Sequence, residues 1–205
     1  MASRGPRPEG ANTRAAIVIS ARTQYATKGY VGASMRGIAR EAGVDPALVH
    51  HYFASKPALF ISAVLSDGDE PFVDPAEVVR RVVDGPVEEL GQRWIREFVN
   101  LWDNAGPDRF RALIQGVVAQ EEALGMLKQF LSQELLGPLV AQLGVDRPQL
   151  RTQLAATQLV GLAMGRYVVE FPEIANLSAD ECAAWIGPNL QSYLVEPLRS
   201  EPAQA

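Results

Sequence analysis

Residues 34–53 read SMRGIAREAGVDPALVHHYF, and this stretch decides the fold prediction. Ser34 can cap a helix whose apolar residues fall at i, i+3, i+4 and i+7, and Gly43 supplies the left-handed residue that ends it. Asp45 can then cap a second short helix that has Pro46 at its first position, where no backbone donor is needed. The stretch therefore predicts a helix, a tight turn and a second helix.

Two further helices are predicted on either side of this stretch. Upstream, Ile17, Ala21 and Tyr25 recur every four residues until Gly29, which can end a helix. Downstream, Ser55 can cap a helix because its hydroxyl can accept a hydrogen bond from the first turn. From Thr13 onward, the N-terminal part is therefore predicted to consist of helices joined by tight turns.

The rest of the chain is divided into helix-length pieces by breakers such as Gly106-Pro107 and Phe171-Pro172. Between the breakers the apolar residues keep a period near 3.6, and no long stretch alternates at period two, so a sheet is not expected. The segment 148–171 has apolar residues on two faces, so it must be buried on both sides. The predicted fold class is all-α, with about nine helices.

Composition limits the functions that the chain can have. It has 205 residues, of which 47% are apolar and 21% are charged, as in ordinary globular proteins. Its N-terminus lacks the apolar core of a secretory signal, so we expect a cytoplasmic protein without a membrane span. Cys182 is the only cysteine, so no internal disulfide can form. The only two histidines, His50 and His51, are adjacent and point about 100° apart on a helix, so no metal site is expected. We therefore expect no cofactor and no enzymatic activity.

The net charge of −5 conceals an uneven distribution. Residues 1–66 contain eight lysines and arginines against three acidic residues, a net charge of +5, whereas residues 67–205 carry −10. A basic N-terminal third on an acidic body is typical of a protein with one surface that binds phosphates. The predicted second helix of the 34–53 stretch is about 12 Å long, comparable to the width of the DNA major groove. Its outward residues are expected to be Pro46, Ala47, His50 and His51.

Residues 13–60 resemble the DNA-binding domain of TetR-type transcriptional repressors. The matching positions have the family's spacing and are Gly29-Tyr30, Ser34-Met35-Arg36, Ile38-Ala39, Ala42-Gly43-Val44, His51-Tyr52-Phe53, Ser55-Lys56 and Leu59-Phe60. Ala33 and His50 differ from the Thr and Tyr that are common in the family, and Leu48 replaces a frequent polar phosphate contact.

Residues 1–11 are rich in Gly and Pro and lack apolar anchors, so they are expected to form a flexible basic arm. The resemblance implies a three-helix helix-turn-helix DNA-binding domain (12–66) and a helical ligand-binding and dimerisation domain (67–205). It implies that Ser34, Tyr52 and Lys56 contact phosphates, and that Arg36 and the outward residues of the third helix meet bases. The implied partners are palindromic operator DNA, a second copy of the chain and a small-molecule effector that releases the repressor. The predicted DNA-binding residues are Ser34, Arg36, Pro46, Ala47, Leu48, His50, His51, Tyr52 and Lys56.

Two further sites are predicted in the C-terminal domain. Aromatic and amide side chains concentrated there indicate an effector pocket, because such pockets combine apolar walls with a few polar groups; the candidates are Trp94, Phe98, Trp102, Phe110, Gln115, Phe130, Gln158, Tyr167 and Phe171. Apolar residues in excess of what one small bundle can cover indicate a two-fold four-helix dimer interface; the candidates are Leu159, Leu162, Trp185, Ile186 and Leu190.

Two other functions remain as alternatives. A helical-bundle hydrolase is disfavoured by the scarcity of His and Cys and by the lack of a phosphate loop or nucleophile elbow. An architectural DNA-binding protein that does not switch is disfavoured by the long acidic C-terminal body with its many aromatic residues. Discrete palindromic protection in a footprint would favour the repressor.

Overall fold

The computed structural model describes residues 11–67, 70–71 and 74–198. The predicted flexible arm lies outside these residues, except for Ala11, at which the first helix begins. The α-helices of the described chain are, in order, α1 (Ala11–Gly32), α2 (Met35–Ala42), α3 (Pro46–Tyr52), α4 (Lys56–Leu65), α5 (Pro75–Val83), α6 (Leu90–Ala105), α7 (Pro107–Ala119), α8 (Glu121–Gln129), α9 (Leu136–Leu143), α10 (Pro148–Ala163), α11 (Pro172–Ala175) and α12 (Ala179–Leu194).

Irregular helical turns complete the order of elements. A 3₁₀ turn at Val87–Glu89 precedes α6, and π-helical turns at Phe130–Leu135 and Met164–Val168 follow α8 and α10. Two strands of two residues each, β1 (Ser66–Asp67) and β2 (Glu70–Pro71), pair antiparallel. This short hairpin was not expected from the sequence, but the all-α fold class is confirmed.

The predicted caps around α2 and α3 are confirmed. Ser34 Oγ accepts a hydrogen bond from the Gly37 amide at 3.0 Å. Gly43 has φ 68° and ψ 31°, the left-handed conformation that ends α2. Asp45 Oδ1 accepts from the Ala47 amide at 2.7 Å, at the start of α3. Gly29 has a φ of 68° and interrupts α1 three residues before its end, so each predicted break occurs where glycine or a capping side chain permits it.

The described chain forms two compact units. The first comprises the chain through Asp74 together with Arg111–Leu127, and the second comprises Pro75–Phe110 together with the chain from Lys128 onward. The sequence predicts that each domain is one continuous segment of the chain, with a single boundary after residue 66. The first unit is not continuous, because a later helical segment packs with the N-terminal helices.

The first unit is held together by an apolar core and by α1. Ile17, Ile38, Val49 and Leu59, from four different helices, are completely buried. At the edge of this core, the Arg14 guanidinium lies over the Phe53 ring, 5.3 Å from its centre, and donates a hydrogen bond to Ser62 Oγ. Helix α1 therefore packs against α2, α3 and α4 together.

The later segment joins this core through a close approach at Gly116. A Cβ atom placed on Gly116 would overlap the ring of Phe60, so only glycine lets α7 approach this ring so closely. A second link lies six residues further along the chain, where Glu122 Oε1 accepts a hydrogen bond from Ser55 Oγ at 2.7 Å. Residues 111–127 therefore belong to the packing of the first unit.

The second unit is centred on the crossing of α6 and α12. A Cβ on Gly91 would overlap the carbonyl oxygen of Gly187, so the two backbones touch. Gln191 fixes this crossing, because its Oε1 accepts from the Gly91 amide at 2.7 Å and its Nε2 donates to the Val87 carbonyl at 2.8 Å. The side chain of Gln191 thereby provides a partner for the Gly91 amide in the first turn of α6, where backbone amides lack α-helical partners.

A buried arginine links three further parts of this unit. Arg166 lies in the π-helical turn after α10 and is only 8% exposed. Its Nε and Nη2 donate to both carboxylate oxygens of Asp103 in α6, at 3.1 and 2.8 Å. Its Nη1 donates to the carbonyls of Ile174 and Leu177. Tyr167 also donates to Asp103 Oδ1, at 2.7 Å. These bonds satisfy the guanidinium, as a buried charge requires.

We expect the Asp103 carboxylate to make stability depend on pH. Partial burial opposes its charged form, but the hydrogen bonds from Arg166 and Tyr167 outweigh that effect and lower the pKa of Asp103. A carboxylate with a lowered folded-state pKa stabilises the fold above its ordinary pKa of about 3.9, and the contribution disappears as the pH falls through the folded-state value. Asp103→Asn should lower the free energy of unfolding by about 1–3 kcal/mol at pH 7.

Urea denaturation from about pH 7 to pH 3 measures this effect, and the difference between the wild type and Asp103→Asn should shrink below about pH 5. The control is Asp180→Asn, since the Asp180 side chain is 79% exposed in its pair with Arg96 and surface pairs contribute little. A difference between the wild type and Asp103→Asn that stays constant down to pH 3 would contradict the proposed role of the ionised carboxylate.

Candidate nucleic-acid interface and effector region

Helix α3 has a single fully buried residue. Its seven residues run from Pro46 to Tyr52, and only Val49 is buried. Phe53, which follows the helix, is also buried, and its amide closes the last turn by donating to the Val49 carbonyl at 2.9 Å. Val49 and Phe53 lie four positions apart, on the same face of the helix. The remaining side chains of α3 are therefore left for the surface.

All nine predicted DNA-binding residues lie at the surface of the first unit. Ser34, Arg36, Pro46, Ala47, Leu48, His50 and His51 are exposed, and Tyr52 and Lys56 are half-buried. The His51 and Tyr52 rings contact each other edge to face, with centres 5.1 Å apart. These exposed and half-buried residues come from the start of α2, from α3 and from the start of α4.

Two roles near this surface were missed by sequence reasoning. The Lys56 ammonium lies over the face of Tyr30, with Nζ 4.5 Å from the ring centre. Glu122 reaches the hydroxyl of Ser55, the residue that precedes α4. The Gly29-Tyr30 pair was recognised only as part of the family pattern, and no local sequence signal indicates that a residue 67 positions later would contact Ser55.

Four of the predicted effector-pocket residues contact one another in the second unit. Phe98 and Trp102 lie with their ring centres 6.4 Å apart, Trp102 and Phe110 are 5.0 Å apart, and Phe110 and Tyr167 are 5.7 Å apart. Trp94 is buried, and Phe130 and Gln158 are half-buried. The Phe98–Trp102–Phe110–Tyr167 contacts form a continuous aromatic cluster, which remains the candidate wall of an effector pocket.

Two residues predicted for the pocket lie elsewhere. Gln115 belongs to the first unit. It is exposed because Leu113 and Val117 lie on the buried face of α7, and a residue midway between them points to the opposite side of the helix. Phe171 is 53% exposed. Regular helix ends before it, since Glu170 has a φ of 56°. Neither side chain is buried with the aromatic cluster.

The predicted dimer residues divide into two groups. Leu159, Leu162 and Leu190 are buried within the single chain, which leaves little of their side chains for a partner. Trp185 is 76% exposed, and Ile186 is half-buried. Further apolar side chains that sequence reasoning did not assign to an interface, Val168 and Val169, are exposed next to Phe171.

Among the described residues, no group of three or more His, Cys, Asp or Glu side chains could hold a metal ion. None of the described helices is both long enough and apolar enough to cross a membrane.

A capped α2, a left-handed turn at Gly43 and a short α3 with an exposed outer face define a helix-turn-helix protein. Two family models match the chain. Residues 17–63 match "Bacterial regulatory proteins, tetR family", and residues 88–194 match "Tetracyclin repressor-like, C-terminal domain". The chain belongs to the TetR family of transcriptional regulators, which are DNA-binding transcription factors rather than enzymes.

Individual relatives agree with this assignment. A TetR-family regulator from Streptomyces coelicolor A3 is 30% identical, with a TM-score of 0.71 over 93% of this chain and 99% of that chain. The transcriptional regulator UidR of Escherichia coli K12 is 27% identical over 77% of this chain and 81% of its own length. NalD of Pseudomonas aeruginosa, the secondary repressor of the MexAB-OprM multidrug efflux pump, shares the fold at 18% identity, with a TM-score of 0.58 over 91% of this chain and 98% of that chain.

Proposed function

We propose that this regulator binds a palindromic operator as a homodimer, represses transcription and is released by a small-molecule effector. The observation that carries the proposal is the surface of the first unit. There α3 buries Val49 alone and exposes its other residues except the half-buried Tyr52, and Arg36 in the preceding helix α2 is exposed as well. In a cytoplasmic dimer, the two α3 helices would enter successive major grooves about 34–36 Å apart.

Each part of this surface has a separate role in the proposal. The guanidinium of Arg36 can make two parallel hydrogen bonds to a guanine, and the small side chains of Pro46 and Ala47 let the backbone of α3 come close to the bases. Ser34, Tyr52 and Lys56 contact phosphates and orient the protein on the duplex without reading the sequence. The net charge of +5 on residues 1–66 favours this contact with DNA.

The effector part of the proposal rests on the aromatic cluster of the second unit. Contiguous aromatic rings with a few polar groups nearby are the usual wall of a site for an apolar ligand. Tyr167 belongs to the cluster and also donates to Asp103. The repressor role that is stated for NalD supports the same function here.

The DNA-binding proposal predicts different effects for Arg36→Ala and Lys56→Ala. Arg36→Ala should weaken operator binding by about 1–3 kcal/mol and relax base preference, because it removes a base contact. Lys56→Ala should weaken binding to all sequences alike, because it removes a phosphate contact. The slope of the logarithm of the binding constant against the logarithm of the salt concentration should become shallower by about one per lysine removed. The measurement is selection of bound sequences from random DNA, followed by salt titration with the selected duplex.

Lys128→Ala is the matched control, since it removes one exposed positive charge from the second unit. It should leave base preference unchanged. Normal operator binding by Arg36→Ala would refute the assignment of this surface. Protection without a discrete palindromic boundary would favour the architectural alternative.

The effector proposal predicts reciprocal coupling. A coupling free energy of about 1–3 kcal/mol changes operator affinity roughly 5- to 150-fold, and operator DNA must weaken effector binding by the same factor. Small molecules that raise the melting temperature should therefore be titrated against the free and the DNA-bound protein. Equal affinities in the two titrations would show that the ligand site does not regulate DNA binding.

The dimer proposal predicts that Trp185→Asp yields monomers. An exposed indole on α12 is the kind of side chain that a partner buries, and a buried unpaired carboxylate would be costly. Sedimentation at micromolar concentration should show a dimer for the wild type and a monomer for the variant. Val118→Asp is the control, because Val118 is equally apolar and exposed but belongs to the first unit. A stable wild-type monomer at this concentration would rule out the proposed dimer.

A further inference from the structure

Lys56 occupies a position that is electrostatically unfavourable for a lysine. It is the first residue of α4, where the helix dipole carries partial positive charge and disfavours a cation. The side chain is also half-buried, and loss of contact with water lowers the pKa of Lys56. An ammonium at this position is therefore stabilised by a neighbouring group that presents negative charge to it.

The ring of Tyr30 provides that stabilisation. Lys56 Nζ lies 4.5 Å from the centre of the Tyr30 ring, well within the distance at which a cation is attracted to an aromatic face. The attraction arises because the face of the ring carries negative charge and its edge carries positive charge. It depends on the electron distribution of the ring as well as on its shape.

Two neighbouring aromatic residues hold the Tyr30 ring in place. Tyr25 stacks on it with an interplanar angle of 9°, and Phe60 meets it edge to face with the ring centres 5.0 Å apart. Tyr25 also fixes the backbone of Lys56, since its hydroxyl donates to the Lys56 carbonyl at 3.3 Å. The lysine is thus held at its main chain and at its ammonium by the same group of rings.

We propose that Tyr30 is a positioning residue that holds the Lys56 ammonium ready for a DNA phosphate. This inference rests on the proposed phosphate contact of Lys56. An ammonium has three N–H donors, so one side can face the ring while another donor meets a phosphate oxygen. A free lysine side chain loses rotamer entropy when it binds, and the ring removes part of that cost in advance.

The test changes the charge distribution of the ring while keeping its shape. Tyr30→Phe retains the negative face, whereas Tyr30→pentafluorophenylalanine removes it from a ring of nearly the same size. Both are made in the full chain, with Lys56 intact and with Lys56→Met, which keeps a flexible side chain without charge. The probe is a random-sequence duplex of about 40 base pairs at low salt, since a phosphate contact is independent of sequence. Thermal unfolding shows that each variant is folded.

The expected result is a loss of DNA affinity that depends on Lys56. The fluorinated ring should weaken binding about 5- to 30-fold in a dimer that uses two Lys56 side chains, with no loss in the Lys56→Met background. The Tyr30→Phe variant should bind the duplex with nearly the affinity of the wild type. No loss with the fluorinated ring, or an equal loss in both backgrounds, would overturn the inference and leave the phosphate contact intact. If Lys56→Met itself binds the duplex normally, the phosphate contact fails and the inference fails with it.

Discussion

The left-handed backbone at Gly43 is the constraint on which the rest of the DNA-binding surface depends. Its φ of 68° ends α2 and reverses the chain, and the next amide donates back to the Ala39 carbonyl at 3.0 Å. Glycine adopts this conformation without the steric penalty that other residues incur. After this tight turn, the residues that α3 and its C-terminal cap bury are Val49 and Phe53. The exposure of the outer face of α3 follows from this geometry.

Phe60 connects the features that support this surface. Its ring meets Tyr25 and Tyr30 edge to face, and it lies where α7 approaches most closely, at Gly116. The same side chain therefore contacts the residues that hold Lys56 and the helix that precedes α8. Protein interiors are densely packed and transmit displacements. A movement of α7 would reach the start of α4 through this ring, in addition to the Ser55–Glu122 hydrogen bond.

Features that depend on neighbours within about four residues were predictable from the sequence. The caps at Ser34 and Asp45 and the break at Gly29 belong to this class, because each is determined by one side chain and the adjacent backbone. Burial within the chain was less predictable. Leu159 and Leu190 are apolar residues on predicted helices, and periodicity alone cannot distinguish a core position from one facing a partner. The position of Glu122 depends on a contact with a residue far away in the chain.

The discontinuous composition of the first unit affects how this protein can be divided and recombined. A helix-turn-helix domain is commonly regarded as a cassette that can be exchanged between sensors. Here a cut after residue 66 would expose the side of Phe60 that Gly116 covers and would remove the hydrogen-bond partner of Ser55. A chimera that keeps this DNA-binding surface intact must carry residues 111–127 as well, so the transferable module has two segments, and any replacement sensor must accommodate both.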